Sequence, residues 1–184
     1  MKKSVFTLVF LSCAMIGPAM AGPAPSLGDE ALLFDRLTGA WNIDYTFYDK
    51  EGVATHDRGD FTTQWVMEGR VQQTIYTIDR AAEHKEKYIG ASLNYLDAKS
   101  KVWRQVFIDP EADAVIVMKG GPVGKDRIVL QSDETNGKVN RWTFDDIKAG
   151  SFVYRDETSR DGGKSWRLNE EDKMTRRQTA EARQ

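Results

Sequence analysis

The chain has 184 residues, with 26 basic and 28 acidic side chains and a net charge of −2. That length suits one domain with a real core, and mixed charge without a long basic block makes nucleic acid and anionic membrane poor partners. The single cysteine, Cys13, leaves the rest of the chain with no disulfide, no thiolate zinc site and no iron–sulfur cluster.

Residues 1–21 read as an export signal. Lys2 and Lys3 form a positive start, and Val5 to Ile16 is apolar but too short to span a bilayer stably. Gly17-Pro18 breaks the run, and Ala19-Met20-Ala21 has the small–x–small pattern of a cleavage site. Cutting 21 residues from 184 leaves 163, with a net charge of −4 and a periplasmic or secreted destination. The competing reading is a lipoprotein signal, with Phe10-Leu11-Ser12 leading into Cys13. The Phe where Leu is preferred, and the better site downstream, favour the first. No later apolar segment is long enough for a membrane span, so no stable insertion is expected.

Residues 22–28 are rich in Pro and Gly and predict a disordered lead-in. Ser26 or Asp29 can cap a brief helix running to Leu37, with Leu33 and Leu37 on one face, able to plug one end of a barrel. An extended lead-in strand is the alternative. From Trp41 the period changes to two, and Trp41, Tyr45 and Phe47 share one face of a strand. After a turn at Asp49-Lys50-Glu51-Gly52, a second strand covers Thr55 to Val66, with a bulge or bend at Gly59. Glu68-Gly69 turns into Val71 to Ile78. The charged run from Arg80 to Lys87 predicts an exposed loop. Tyr88 to Leu96, Val102 to Ile108 and Ala114 to Met118 are further strands, and Gly120 to Gly124 predicts a mobile loop over a barrel mouth. Ile128 to Gln131 pairs through Asn136-Gly137, a strong hairpin signal, into Val139 to Phe144. Ser151 to Thr158 and Ser165 to Met174 form the last hairpin, turned by Asp161-Gly162-Gly163, and residues 178–184 are a polar tail. About ten strands with hairpin-length connections predict an all-β, antiparallel up-and-down barrel over residues 29–177 with a short N-terminal helix, rather than a sandwich with long crossovers.

Gly39-Ala40-Trp41, opening the first strand after a short helical segment, resembles the Gly-x-Trp start of the lipocalin-like (calycin) barrels. The resemblance implies that Trp41 closes one barrel end and that an Arg from the last strand, Arg176 or Arg177, packs over it, with a cation–π contact suited to the pair. Trp103-Arg104-Gln105 and Ser159-Arg160-Asp161-Gly162-Gly163-Lys164-Ser165-Trp166 resemble exported bacterial barrels of unassigned function. The second stretch also matches the Ser-x-Asp-x-Gly-x-x-Trp hairpin called an Asp-box, which occurs once here and reads as a structural turn. The nitrobindin-like branch holds haem through a histidine near its C-terminal end. This chain departs from that pattern, because its histidines are His56 and His84 and none follows.

Chemical motifs are sparse. Two histidines 28 positions apart give no metal-ligand spacing, so no metal and no cofactor is expected. His84 sits among charges as a solvated loop residue. His56, beside Asp57, reads as a surface residue near a turn, or as a base oriented by a carboxylate. Asp145-Asp146 and Glu170-Glu171-Asp172 are acid clusters. Glu170 and Asp172 share a face with Trp166 and Leu168, and the expectation is that this strand twists out past a barrel rim, since buried acids need partners. The segment Gly120 to Lys125 lacks P-loop spacing, and no serine sits in a nucleophile elbow.

The aromatics, five Trp, six Tyr and eight Phe, fall mainly within strands. They fill a core or line a hollow. Gln105, flanked on its face by Trp103 and Phe107, favours a hollow, because a packed core rarely admits an unpartnered amide. The reading is a binding protein for a small, largely apolar ligand, with Trp41, Tyr45, Trp103, Gln105, Phe107 and Trp142 lining the interior. Rival readings are an enzyme on an apolar substrate with His56 and Asp57 or an interior carboxylate as acid–base groups, and an interaction module with a filled barrel and an exposed apolar patch.

Overall fold

A computed structural model of the chain describes residues 22–81 and 85–178. The expected export signal with Cys13, His84 and the tail beyond residue 178 lie outside the described residues. The chain enters through a 3-10 helix, Pro25–Glu30, and a short α-helix, α1 (Ala31–Asp35). Ten strands follow: β1 (Gly39–Tyr48), β2 (Ala54–Val66), β3 (Val71–Ile78), β4 (Tyr88–Asp97), β5 (Val102–Asp109), β6 (Ala114–Pro122), β7 (Ile128–Ser132), β8 (Val139–Asp145), β9 (Ser151–Ser159) and β10 (Arg167–Arg176). Each pairs antiparallel with its sequence neighbours, and β1 pairs with β10, so the sheet closes on itself as an up-and-down barrel. Closure leaves no strand edge unpaired.

The alternation that defines the strands also sorts the walls. In β1, Trp41 and Ile43 are buried while Asn42 and Asp44 are exposed. Ion pairs stitch the outside across neighbouring strands: Arg155 bridges Glu171 at 2.8 Å and Asp145 at 2.9 Å, and Arg141 meets Glu157 at 2.7 Å. On β3 to β6 the outer wall is apolar instead. Ile75, Ile108 and Val115 lie in one pairing row, Leu93, Val106 and Val117 in the next. All but the half-buried Val106 are exposed.

One barrel end is sealed by α1. Ala31, Leu33, Phe34 and the following Leu37 are buried in the core, and Phe34 stacks on Trp103 at 3.9 Å. Barrel side chains tie the helical segment to the wall. Gln72 Nε2 donates to the Phe34 carbonyl at 2.6 Å, Trp41 Nε1 to the Leu37 carbonyl at 2.9 Å, and Trp65 Nε1 to Asp35 Oδ1 at 2.8 Å. Among the described residues the helix carries no side-chain N-cap, from Ser26, Asp29 or any other residue.

Three local expectations are corrected. Residues from Pro25 on form a 3-10 helix rather than a disordered lead-in, and just before it the Ala24 amide donates to Gly69 of the β2–β3 turn at 2.9 Å. The Gly120 segment is no mobile loop over the mouth. Gly120, Gly121 and Pro122 continue β6 and pair with Leu130, Val129 and Ile128. Trp103 pairs with Gly120, which places the segment at the sealed end, and a Cβ on Gly120 would lie 2.0 Å from the Val129 carbonyl oxygen, so only glycine fits. Finally, pairing runs unbroken through Gly59. A register shift falls instead in β10, between Leu168 and Glu170.

Candidate functional site

That shift decides the chemistry of the interior. An extra residue in a strand reverses the side-chain parity beyond it. Leu168 pairs with Glu157 and Glu170 with Asp156, and Asn169 is the additional residue. Glu170 and Asp172 therefore do not follow Leu168 outward. Glu170 lines the barrel cavity and Asp172 is fully buried, where the sequence reading expected both to leave past a rim.

The cavity has a volume of about 420 Å³ and lies on the side of the barrel away from α1. Its walls are largely aromatic. Phe107 meets Trp142 edge-on at 5.5 Å, and Trp142 meets Tyr154 at 6.3 Å. Thr74, Ser92 and Gln105 contribute polar groups, while Asp57, Arg80, Lys85 and Asp109 complete the charged lining. Arg80 is held by Glu111 at 2.6 Å and lies over the Tyr88 ring at 5.2 Å.

Hydrogen bonds organise three carboxyl groups within this wall. Tyr76 Oη donates to Glu170 Oε1 at 2.8 Å and also stands 3.0 Å from Asp172 Oδ2. One phenolic proton cannot serve both acceptors at once. Asp156 accepts from Trp142 Nε1 at 3.1 Å and from Asn169 Nδ2 at 3.3 Å. Asp172 Oδ1 and Gln105 Oε1 are buried with no partner among the described residues.

Burial pushes the Glu170 carboxyl up to about 7, opposed by the Tyr76 hydrogen bond and reinforced by the charge of Asp156. Asp172 is raised well above the usual carboxylate range by burial and then by Glu170 beside it. Burial also raises Asp156, against the hydrogen bonds from Asn169 and Trp142. The Tyr76 and Tyr154 phenols move up through burial and then the negative charge of Glu170. Tyr88 is likewise raised, by burial and by Asp109.

Of the residues expected to line the interior, Tyr45, Gln105, Phe107 and Trp142 come together around the cavity. Trp41 and Trp103 do not. Both are buried in the sealed end, Trp103 beneath Phe34 and Trp41 beneath Arg176, whose guanidinium lies 4.0 Å over the indole. They share a strand face with the lining residues but stand nearer the plugged end, a position along the barrel that alternation does not report. Arg177 turns elsewhere and pairs with Asp60. His56 is exposed on the outside, its Nδ1 3.2 Å from Thr46 Oγ1, while Asp57 faces the cavity. Neighbouring strand residues point to opposite walls, so the two cannot act together. Among the described residues the cavity receives no imidazole for a haem iron.

Sequence reasoning missed Tyr76, Asp156 and Glu170 as cavity residues. Asp156 follows the hydrophobic and aromatic residues Phe152 and Tyr154 at a spacing of two, and that alternation is a signal that could have found it.

No protein-family model matches the chain, and no curated protein matches it. Among solved structures, the chain is similar to the crystal structure of Rv2717c from M. tuberculosis, with a TM-score of 0.60 and 11% identity over 85% of this chain and 99% of that one. At that identity the likeness shows a shared barrel fold alone.

Proposed function

We propose that the protein binds a small, largely apolar ligand inside its barrel, in the manner of the lipocalin-like barrels that Gly39-Ala40-Trp41 resembles, and that it does so in the periplasm after export. The observation that carries this reading is the cavity of about 420 Å³, sealed at one end by α1, walled by aromatic rings and furnished with a few convergent polar groups. A volume of this size suits a small organic molecule. Aromatic walls supply contact area, and Gln105, Ser92 and Thr74 offer hydrogen bonds that fix orientation.

The rival enzyme reading loses His56, which stands outside the barrel, and keeps an interior carboxylate such as Glu170 as its base. The interaction-module reading asked for a filled barrel and an exposed apolar patch. The β3 to β6 wall supplies the patch, but the interior is hollow. Native mass spectrometry of protein isolated from its own periplasm tests the proposal. The expected spectrum carries one small-molecule adduct per chain; a bare chain that also fails to take up neutral aromatic probes contradicts it.

A further inference from the structure

Three carboxyl groups, Glu170, Asp172 and Asp156, sit against aromatic rings in the barrel interior. No ion pair among the described residues reaches any of them. Their nearest acidic neighbours on the outer face are treated differently: Glu157 and Glu171 each hold an arginine. A buried carboxylate without a counter-charge is costly, and that cost falls when a cation arrives.

The donor balance points the same way. Tyr76 has one proton for Glu170 and Asp172, which also hydrogen-bond each other. Gln105, 5% exposed and lining the cavity, has an amide oxygen with no donor among the described residues. The interior is thus rich in acceptors. Among the described residues, acidic side chains in the lining outnumber basic ones, Asp57, Asp109, Asp156 and Glu170 against Arg80 and Lys85, and Arg80 is already engaged by Glu111. Both basic residues belong to the segment between β3 and β4 rather than to the strand wall that carries the unpaired acids.

We infer that the ligand is an organic cation, an aromatic or aliphatic body bearing an ammonium or amidinium group, with the charged group held by Glu170 and Asp156 and the body by Phe107, Trp142 and Tyr154. This inference rests on the binding reading above and narrows it. A bare metal ion is a poorer occupant. Among the described residues no three His, Cys, Asp or Glu side chains converge as a metal set, and aromatic walls add nothing to a metal's coordination. An organic cation uses both parts of the site, its charge meeting the carboxylates and its N–H groups filling empty acceptors, with ring faces available for cation–π contact.

The test separates this inference from the reading beneath it. Neutral phenylnaphthylamine reports occupancy of the cavity by fluorescence, and tryptamine, propylindole and indolepropionate compete for it as cation, neutral isostere and anion. The expected order is tryptamine best, ahead of propylindole by at least about tenfold, with indolepropionate weakest. In Glu170→Gln and Asp156→Asn the advantage of tryptamine over propylindole shrinks. If phenylnaphthylamine binds but propylindole or indolepropionate matches tryptamine, the cation assignment is overturned and the binding reading stands. If phenylnaphthylamine and all three indoles fail to bind, both are overturned. The order of the three indoles is measured first on the native protein, so the outcome does not depend on either variant folding.

Discussion

The guanidinium of Arg176 lies 4.0 Å above the Trp41 ring and is held there by three carbonyls, its Nη1 donating to Thr38 at 2.7 Å, its Nη2 to Arg36 at 2.8 Å and its Nε to Ala149 at 2.5 Å. The first and last strands and the chain leading into the barrel are joined at this one point. Gly39 makes room for it: its φ is 125°, and a Cβ there would stand 2.6 Å from Arg176 Nη1. The Gly-x-Trp opening of β1 is thus a packing requirement of the arginine.

Replacing the arginine tests that joint. Arg176→Met should lower unfolding free energy by about 1–3 kcal/mol, since it removes a cation–π contact and carbonyls lose their donors. Arg176→Lys should recover less than half, because an ammonium cannot fork to two carbonyls while stacked on a ring. Gly39→Ala should cost a similar amount through backbone strain and the clash with the guanidinium. Denaturant titration reads all three.

Glu170 makes stability depend on pH. Its carboxyl is raised to about 7 in the folded chain, so the protonated form is favoured by folding. Its contribution is complete below the unfolded value near 4.5 and is lost as pH rises through about 7. Glu170→Gln should match the native protein near the acid end of that window and exceed its stability at pH about 8. A variant less stable than the native protein at the alkaline end would show that the carboxylate is stabilised rather than strained by its surroundings.

Period-two alternation made nearly every strand legible, and Asn136-Gly137 marks its turn with both residues at positive φ, 53° and 69°. The extension of β6 through Gly120 to Pro122 was not legible, because glycine and proline signal loops unless a neighbouring backbone requires close approach. The acid-lined interior was hidden by a single residue. Alternation carried from Leu168 to Glu170 assigns both to one face, and the extra residue at Asn169 breaks that inference. A bulge is set by pairing with β9, information that one strand's own sequence does not hold. Trp41 and Trp103 were placed on the correct wall but at the wrong height, since height depends on where α1 docks.

His56 supplies a negative prediction. It is exposed and touches Thr46, so His56→Ala should leave probe affinity within about twofold and stability within about 0.5 kcal/mol. A large loss of either would restore a functional role for the imidazole.

The Asp161 hairpin should be sensitive to acid. Its carboxylate accepts the amides of Lys164 and Ser165 at 3.0 and 2.9 Å and the Ser159 hydroxyl at 2.8 Å. With the Ser165 hydroxyl and amide as the leading causes, these bonds hold its pKa near 2, so what the turn contributes is present above the unfolded value and lost as pH falls through about 2. Hydrogen exchange at the Lys164 and Ser165 amides should be slow at neutral pH and fast in Asp161→Ala. Equal rates in the two proteins would remove the carboxylate from the turn.

Ligand uptake depends above all on the interior being an open space. Ser92 is buried at 4% exposure on the cavity wall, level with Thr74 and Phe107. Ser92→Phe places a phenyl ring in that space. A hollow barrel should keep its stability within about 1 kcal/mol and lose the uptake of phenylnaphthylamine expected of the native protein. A filled barrel would instead be destabilised by about 1–3 kcal/mol through overpacking, with no probe uptake by the native chain to lose.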